Sequence, residues 1–205
     1  MLNNKARIAV LVSGGGTNLQ ALIDAQNGGK LKSGEIVFVV SNNPEAYAIQ
    51  RARRAGIETM VITGTRTTFE SALLSTLDRH EIDIVILAGF MRILSPQVIR
   101  KYEGRILNVH PSLIPSFCGE GYYGLKVHEE ALARGVKVTG ATVHIVNEIP
   151  DGGPILLQKA VEILSEDTAE TLQRRVMEKA EWILLPKAAE MLSEQVLEER
   201  ARKYE

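Results

Sequence analysis

The chain has 205 residues, 45% of them hydrophobic, which is enough to bury a substantial single-domain core. Its 24 Lys and Arg residues against 25 Asp and Glu leave a formal net charge of -1, which argues against a nucleic-acid or membrane surface. A single cysteine, Cys118, excludes an internal disulfide framework and fits a reducing compartment, and the apolar run before Ser13 is too short for a signal segment, so the expected location is the cytoplasm.

Taken in chain order, the apolar patterning predicts strands alternating with helices. A β-branched run over residues 7–12 predicts the first strand, followed by the turn Ser13-Gly14-Gly15-Gly16-Thr17 and a helix over 18–26. Strands are predicted over 35–41, 59–62, 84–88 and 106–109, with helices over 45–55, 68–80 and 96–102 between them. A helix over 126–134 precedes two alternating strands, 137–146 and 155–163, separated by the turn signal Pro150-Asp151-Gly152-Gly153. An amphipathic helix from about 168 to 202 follows, with a break expected at Pro186. The fold class is therefore α/β, a doubly wound, mostly parallel, Rossmann-like sheet with helices on both faces. One domain, 1–205, is expected in two lobes, about 1–105 and about 106–205, with the ligand cleft at the carboxyl ends of the strands.

Three polar clusters stand where apolar runs end. The glycine turn can aim bare backbone N–H groups at an anion, assisted by the helix dipole. It lacks the P-loop lysine, and Leu19 replaces the third glycine of a dinucleotide fingerprint, so a monophosphate is the natural guest. Asn108 and His110 are two apart, so an extended strand projects both side chains to one side. Asp151 precedes Gly152-Gly153-Pro154. An amide, an imidazole and a carboxylate are the parts needed to hold a tetrahedral oxyanion and move a proton. Each has an ordinary structural reading alone: a cap, a buried histidine, a turn residue. His80, His110, His128 and His144 show no zinc spacing, and no metal is expected. Cys118 has no visible base and is read as non-catalytic.

The segments VSGGGTN from Val12, AGFMRIL from Ala88, ILNVHPSLIP from Ile106 and GATVHIVNEIPDGGP from Gly140 together resemble the phosphoribosylglycinamide formyltransferase family. The resemblance implies N10-formyltetrahydrofolate as co-substrate and glycinamide ribonucleotide as acceptor, in purine biosynthesis. It implies Asn108, His110 and Asp151 as catalytic residues, and Gly16, Thr17, Asn18, Glu178 and Glu181 as contacts to the ribonucleotide. For the folate it implies Arg66, Met91, Arg92, Ile93, Leu94, Asn108 and the loop Asn147, Glu148, Ile149, Pro150 and Asp151. Two departures accompany it: Gly15 stands where many relatives have Asn, and the loop from Ser116 to Leu125 is long, glycine-rich and tyrosine-bearing, suited to act as a lid. The wider family includes formyltetrahydrofolate hydrolases and formyl donors to initiator tRNA. A first strand beginning by Arg7 and a Glu-rich final helix favour the ribonucleotide as acceptor over both. A non-catalytic phosphosugar binder and a dinucleotide oxidoreductase are the readings from other classes. A homodimer is compatible with the sequence.

Overall fold

The computed structural model describes residues 5–203. Strands β1 (Ala6–Val12), β2 (Gly34–Ser41), β3 (Glu58–Val61), β4 (Ile84–Leu87), β5 (Ile106–His110), β6 (Val138–Ile145) and β7 (Ile155–Glu162) make one seven-stranded sheet in the order β3-β2-β1-β4-β5-β6-β7. The first five run parallel, while β6 and β7 are antiparallel additions. Strand order reverses between β1 and β4, which opens a crevice at their carboxyl ends.

Both faces of the sheet are covered because the parallel strands are apolar on both sides. Ile8, Val10 and Val12 face one core with Leu19 and Leu22 of α1 (Thr17–Asn27) and Ala48 and Ile49 of α2 (Tyr47–Arg54). Ala9 and Leu11 face the other core, with Phe69 and Leu73 of α3 (Arg66–Arg79) and Val98 of α4 (Pro96–Lys101). Each large aliphatic side chain buried this way contributes on the order of 1.5–3 kcal/mol. The helices α5 (Leu125–Arg134), α6 (Ala169–Val176) and α7 (Trp182–Arg202) follow, and Leu172, Leu185 and Leu192 join the first core. No helix among the described residues is long and apolar enough to cross a membrane.

The structure moves three expected boundaries, each with consequences for the site. Strand β5 continues through His110, so the imidazole is fixed to sheet backbone. Helix α3 starts at Arg66, two residues early, because the Thr65 hydroxyl accepts from the Thr68 N–H as its cap. The C-terminal helix is not broken at Pro186, which lies inside α7. Its irregularity is a π turn, Met177–Glu181, upstream. Pro186 lies in the turn after the π turn, and its missing N–H leaves one carbonyl of the preceding turn without its helical partner, which α7 tolerates.

Candidate active site

A cavity of about 660 Å³ opens at the carboxyl ends of β4 and β5, lined by Asn108 and His110, the loop after β4, the 119–124 loop and residues 147–151. Asn18, Gln173, Met177 and Glu181 complete it from the helical side. Residues distant in sequence converge here because β5 pairs with β4 on one side and β6 on the other, and the β6–β7 turn carries Asp151 back over the end of β5. That turn requires glycine: a Cβ on Gly153 would lie 1.8 Å from the Ile145 carbonyl oxygen. Asp151 itself holds a left-handed conformation, φ 54, uncommon outside glycine.

The carboxylate is the hub. His110 Nδ1 lies 3.4 Å from Asp151 Oδ2, His144 Nε2 lies 3.5 Å from Oδ1, and the Gly119 N–H donates to Oδ2 at 2.9 Å. Burial alone would raise the Asp151 carboxyl, but His144, His110 and the Gly119 N–H hold it below the usual carboxylate value, so it is an anion at neutral pH. His110 is only 4% exposed, and burial pulls its pKa below 6.5 against the opposing charge of Asp151 and the Phe117 carbonyl. Its Nε2 donates to Phe117 O at 2.8 Å, so the proton it gains or loses sits on Nδ1, facing Asp151. Asn108 meets His144 Nε2 through Nδ2 at 3.1 Å and Asp151 Oδ1 at 3.4 Å. The second contact is long and weak, leaving that N–H available to a stronger acceptor.

Two histidines that look scattered in the sequence belong to this cavity. His144 stands opposite Asn108 in the β5–β6 ladder, and its Nδ1 donates to the Ile145 carbonyl at 3.0 Å, turning Nε2 to the amide. His128 of α5 is fully buried in the lining, both ring nitrogens without a protein partner, its pKa pulled down to about 4 by burial and then by His110. Cross-strand register, invisible in a single sequence, is the signal that would have found His144. Cys118 lies between Phe117 and Gly119, which hold His110 and Asp151. Burial and the Asp151 charge raise its thiol pKa, which keeps it a thiol.

On the helical side, Gly16 caps α1 with φ 74, and a side chain there would strike Ala48, its Cβ 2.6 Å away. No side chain caps α1, while the carbonyls of Gly14 and Gly15 are taken by the Ala48 N–H and Arg51 Nε, so the first-turn N–H groups are the ones left to meet an anion. Asn18 Nδ2 donates to Glu181 Oε2 at 2.7 Å. Glu181 is 6% exposed, turned inward by the π turn, and burial pushes its pKa up to about 7 against that hydrogen bond.

The remaining expected residues divide. Met91, Arg92, Ile93 and Leu94 line the cavity, as do Asn147, Glu148, Ile149, Pro150 and Asp151. Met91, Ile93 and Ile149 are 54%, 60% and 66% exposed, an apolar rim suited to a flat aromatic ligand. Arg92 donates to Gly64 O at 3.2 Å and lies over the Phe69 ring, which holds it against the cavity wall. Ser13 ties this wall to the glycine turn, its Oγ accepting from the Met91 N–H at 2.9 Å. Arg66 does not reach the lining, because the early start of α3 places it beside Glu70, at 3.4 Å and half-exposed. Gly16 and Thr17 also lie outside the lining, and Glu178 is on the exposed side of the π turn while Glu181 faces in. Gln173 and Met177, unremarked in the sequence, take part in the lining. Among the described residues no cluster of His, Cys, Asp and Glu has metal-binding geometry.

Known proteins resemble this chain in sequence and in fold. Residues 6–188 match the family model described as formyl transferase. The human trifunctional purine biosynthetic protein adenosine-3 is 49% identical over 176 residues, covering 84% of this chain and 17% of its own length, so the chain spans about a sixth of such relatives. Phosphoribosylglycinamide formyltransferase of Escherichia coli K12 is 42% identical over 173 residues, 82% of this chain and 79% of its own. The crystal structure of glycinamide ribonucleotide transformylase 1 from Symbiobacterium toebii superposes with a TM-score of 0.87 at 41% identity, over 94% of this chain and 90% of that one. With a family match over nearly its whole length and relatives of this similarity, the chain belongs to the formyl transferase family.

Proposed function

We propose that the protein transfers the formyl group of N10-formyltetrahydrofolate to the amine of glycinamide ribonucleotide, in the cytoplasm, as a single formyltransferase domain acting on small-molecule substrates. The observation that carries this reading is the meeting of Asn108, His110 and Asp151 between an apolar-rimmed cavity and the helix terminus beside Asn18 and Glu181. The folate lies along Met91 to Leu94 and the 147–151 loop. The ribonucleotide phosphate sits at the α1 N-terminus, and its sugar end meets Glu181.

The amine lone pair attacks the formyl carbon and the carbonyl electron pair moves to oxygen. Asn108 gives its weakly held N–H to that oxyanion, exchanging a poor contact with Asp151 for a good one. The amine, now positive, loses a proton toward the Asp151 carboxylate and His110 Nδ1. The imidazolium so formed sits beside a carboxylate, which stabilises it, and supplies the proton that N10 takes as the carbon–nitrogen bond breaks. One proton has moved from amine to N10, and His144 keeps Asn108 in place throughout.

Asp151→Asn tests this against a mere binding role. An Asn keeps the shape but removes the charge, so turnover should fall at least about a hundredfold, the usual scale for acid–base groups. Ribonucleotide affinity should stay within threefold by calorimetry; an unchanged turnover would contradict the mechanism.

A further inference from the structure

A second cavity, of about 760 Å³, lies between α1 and α7 and shares no lining residue with the catalytic one. Its apolar surface comes from Ala21 and Ala25 of α1 and from Trp182, Ile183, Pro186 and Met191 of α7. Ile183 and Met191 are 48% and 41% exposed, large apolar side chains left in water in the lining. The indole Nε1 of Trp182 is buried without an acceptor.

The charges at the rim are unequal in what they have left to give. Glu190 already accepts from the backbone N–H groups of Lys32 and Ser33 and from the Ser33 hydroxyl. Asp24 accepts from Gln20, and Arg51 spends N–H groups on Gly15 and Gln20. Lys30 and Lys187, exposed at the same rim, form no ion pair among the described residues. The lining cations, Lys30, Arg51 and Lys187, outnumber the anions, Asp24 and Glu190, so the groove carries a net positive charge over an apolar floor that contains an aromatic ring.

We propose that this groove is a second ligand site, for a planar aromatic molecule carrying an anionic group. The ring would lie on Trp182, Ile183 and Pro186, and the anion between Lys30 and Lys187. The volume falls within the range of ordinary small-molecule sites. The groove borders the catalytic reading at Thr17, its end toward the α1 N-terminus, but the residues proposed to hold the ring and the anion, Trp182, Ile183, Pro186, Lys30 and Lys187, are none of those assigned to the transfer.

Trp182 is the chain's single tryptophan, so its emission reports this groove directly. The probe is 8-anilinonaphthalene-1-sulfonate, an aromatic anion, titrated into the full chain. The expected result is saturable quenching of Trp182 at one probe per chain, with a Kd raised at least tenfold in the double variant Lys30→Glu, Lys187→Glu. Both lysines are exposed, and the variant should keep the wild-type melting temperature and formyl-transfer rate. A folate analogue without a transferable formyl group, added to fill the catalytic cavity, should leave the quenching in place. Unsaturable quenching, a Kd unmoved by the charge reversal, or complete displacement by the folate analogue would each overturn the proposal.

Discussion

Glu181 is held at 6% exposure with one hydrogen bond from Asn18, and its carboxyl is harder to ionise in the folded chain than in the unfolded one. The sign of the resulting pH dependence follows. With a folded pKa of about 7 against an ordinary 4.5, the folded state binds the extra proton between these values. Stability should therefore be undiminished below about pH 4.5 and fall as the pH rises to about 7, by roughly 3 kcal/mol at most. Glu181→Gln should consequently stabilise the ligand-free protein by about 1–3 kcal/mol at pH 8, with little gain at pH 5. Urea unfolding at the two pH values checks this, and an equal gain at both would refute it. At this scale the sequence was informative about chemistry and mute about partnership. Asn108, His110 and Asp151 could be named from their types and motif, whereas His144 and His128 became visible only when the fold brought β6 and α5 to the cavity. Arg66 shows where the sequence was silent on placement: the Thr65 cap starts α3 at Arg66 and sets its side chain beside Glu70, two residues before the start that the apolar spacing implied.

Among the elements, the turn between β6 and β7 tests how tightly Asp151 is positioned. A methyl on Gly153 would sit 1.8 Å from the Ile145 carbonyl oxygen, an overlap that backbone must move to relieve. Gly153→Ala should cost at least about 3 kcal/mol and displace Asp151 from His110. Gly15→Ala meets nothing within 4 Å and should change stability by less than about 0.5 kcal/mol, which makes it the control. Chemical denaturation of both variants decides the matter, and similar losses in the two would mean that the turn is not under this constraint. The alternating strands and the glycine turn were legible because their periodicities reflect burial on one or both faces of a sheet. The π turn was not, since a single inserted residue shifts the apolar spacing by only one position, and Pro186, the stronger helix-breaking signal, drew the expected break to a point inside α7.

For the whole molecule, the reversal of strand order between β1 and β4 puts the glycine turn, the wall from Met91 to Leu94 and the pair Asn108 and His110 at one edge of the sheet. Ser13 joins the first two by a direct hydrogen bond. A ligand that binds only this assembled edge stabilises the fold by mass action: ribonucleotide at a hundredfold its Kd should add about 2.7 kcal/mol. For a chain of this length that corresponds to a melting temperature roughly 5–10 °C higher. Differential scanning calorimetry measures it, and no shift at saturating ribonucleotide would remove the acceptor from the account. The α/β class and the position of the cleft followed from alternating apolar runs, but which side chains share the cleft depended on strand pairing. The most direct test of the central claim is the release of tetrahydrofolate from N10-formyltetrahydrofolate by the purified protein, with and without glycinamide ribonucleotide. The account predicts release only when the ribonucleotide is present, with formylated ribonucleotide formed in equal amount; release at the same rate without it would mark a hydrolase and contradict the account.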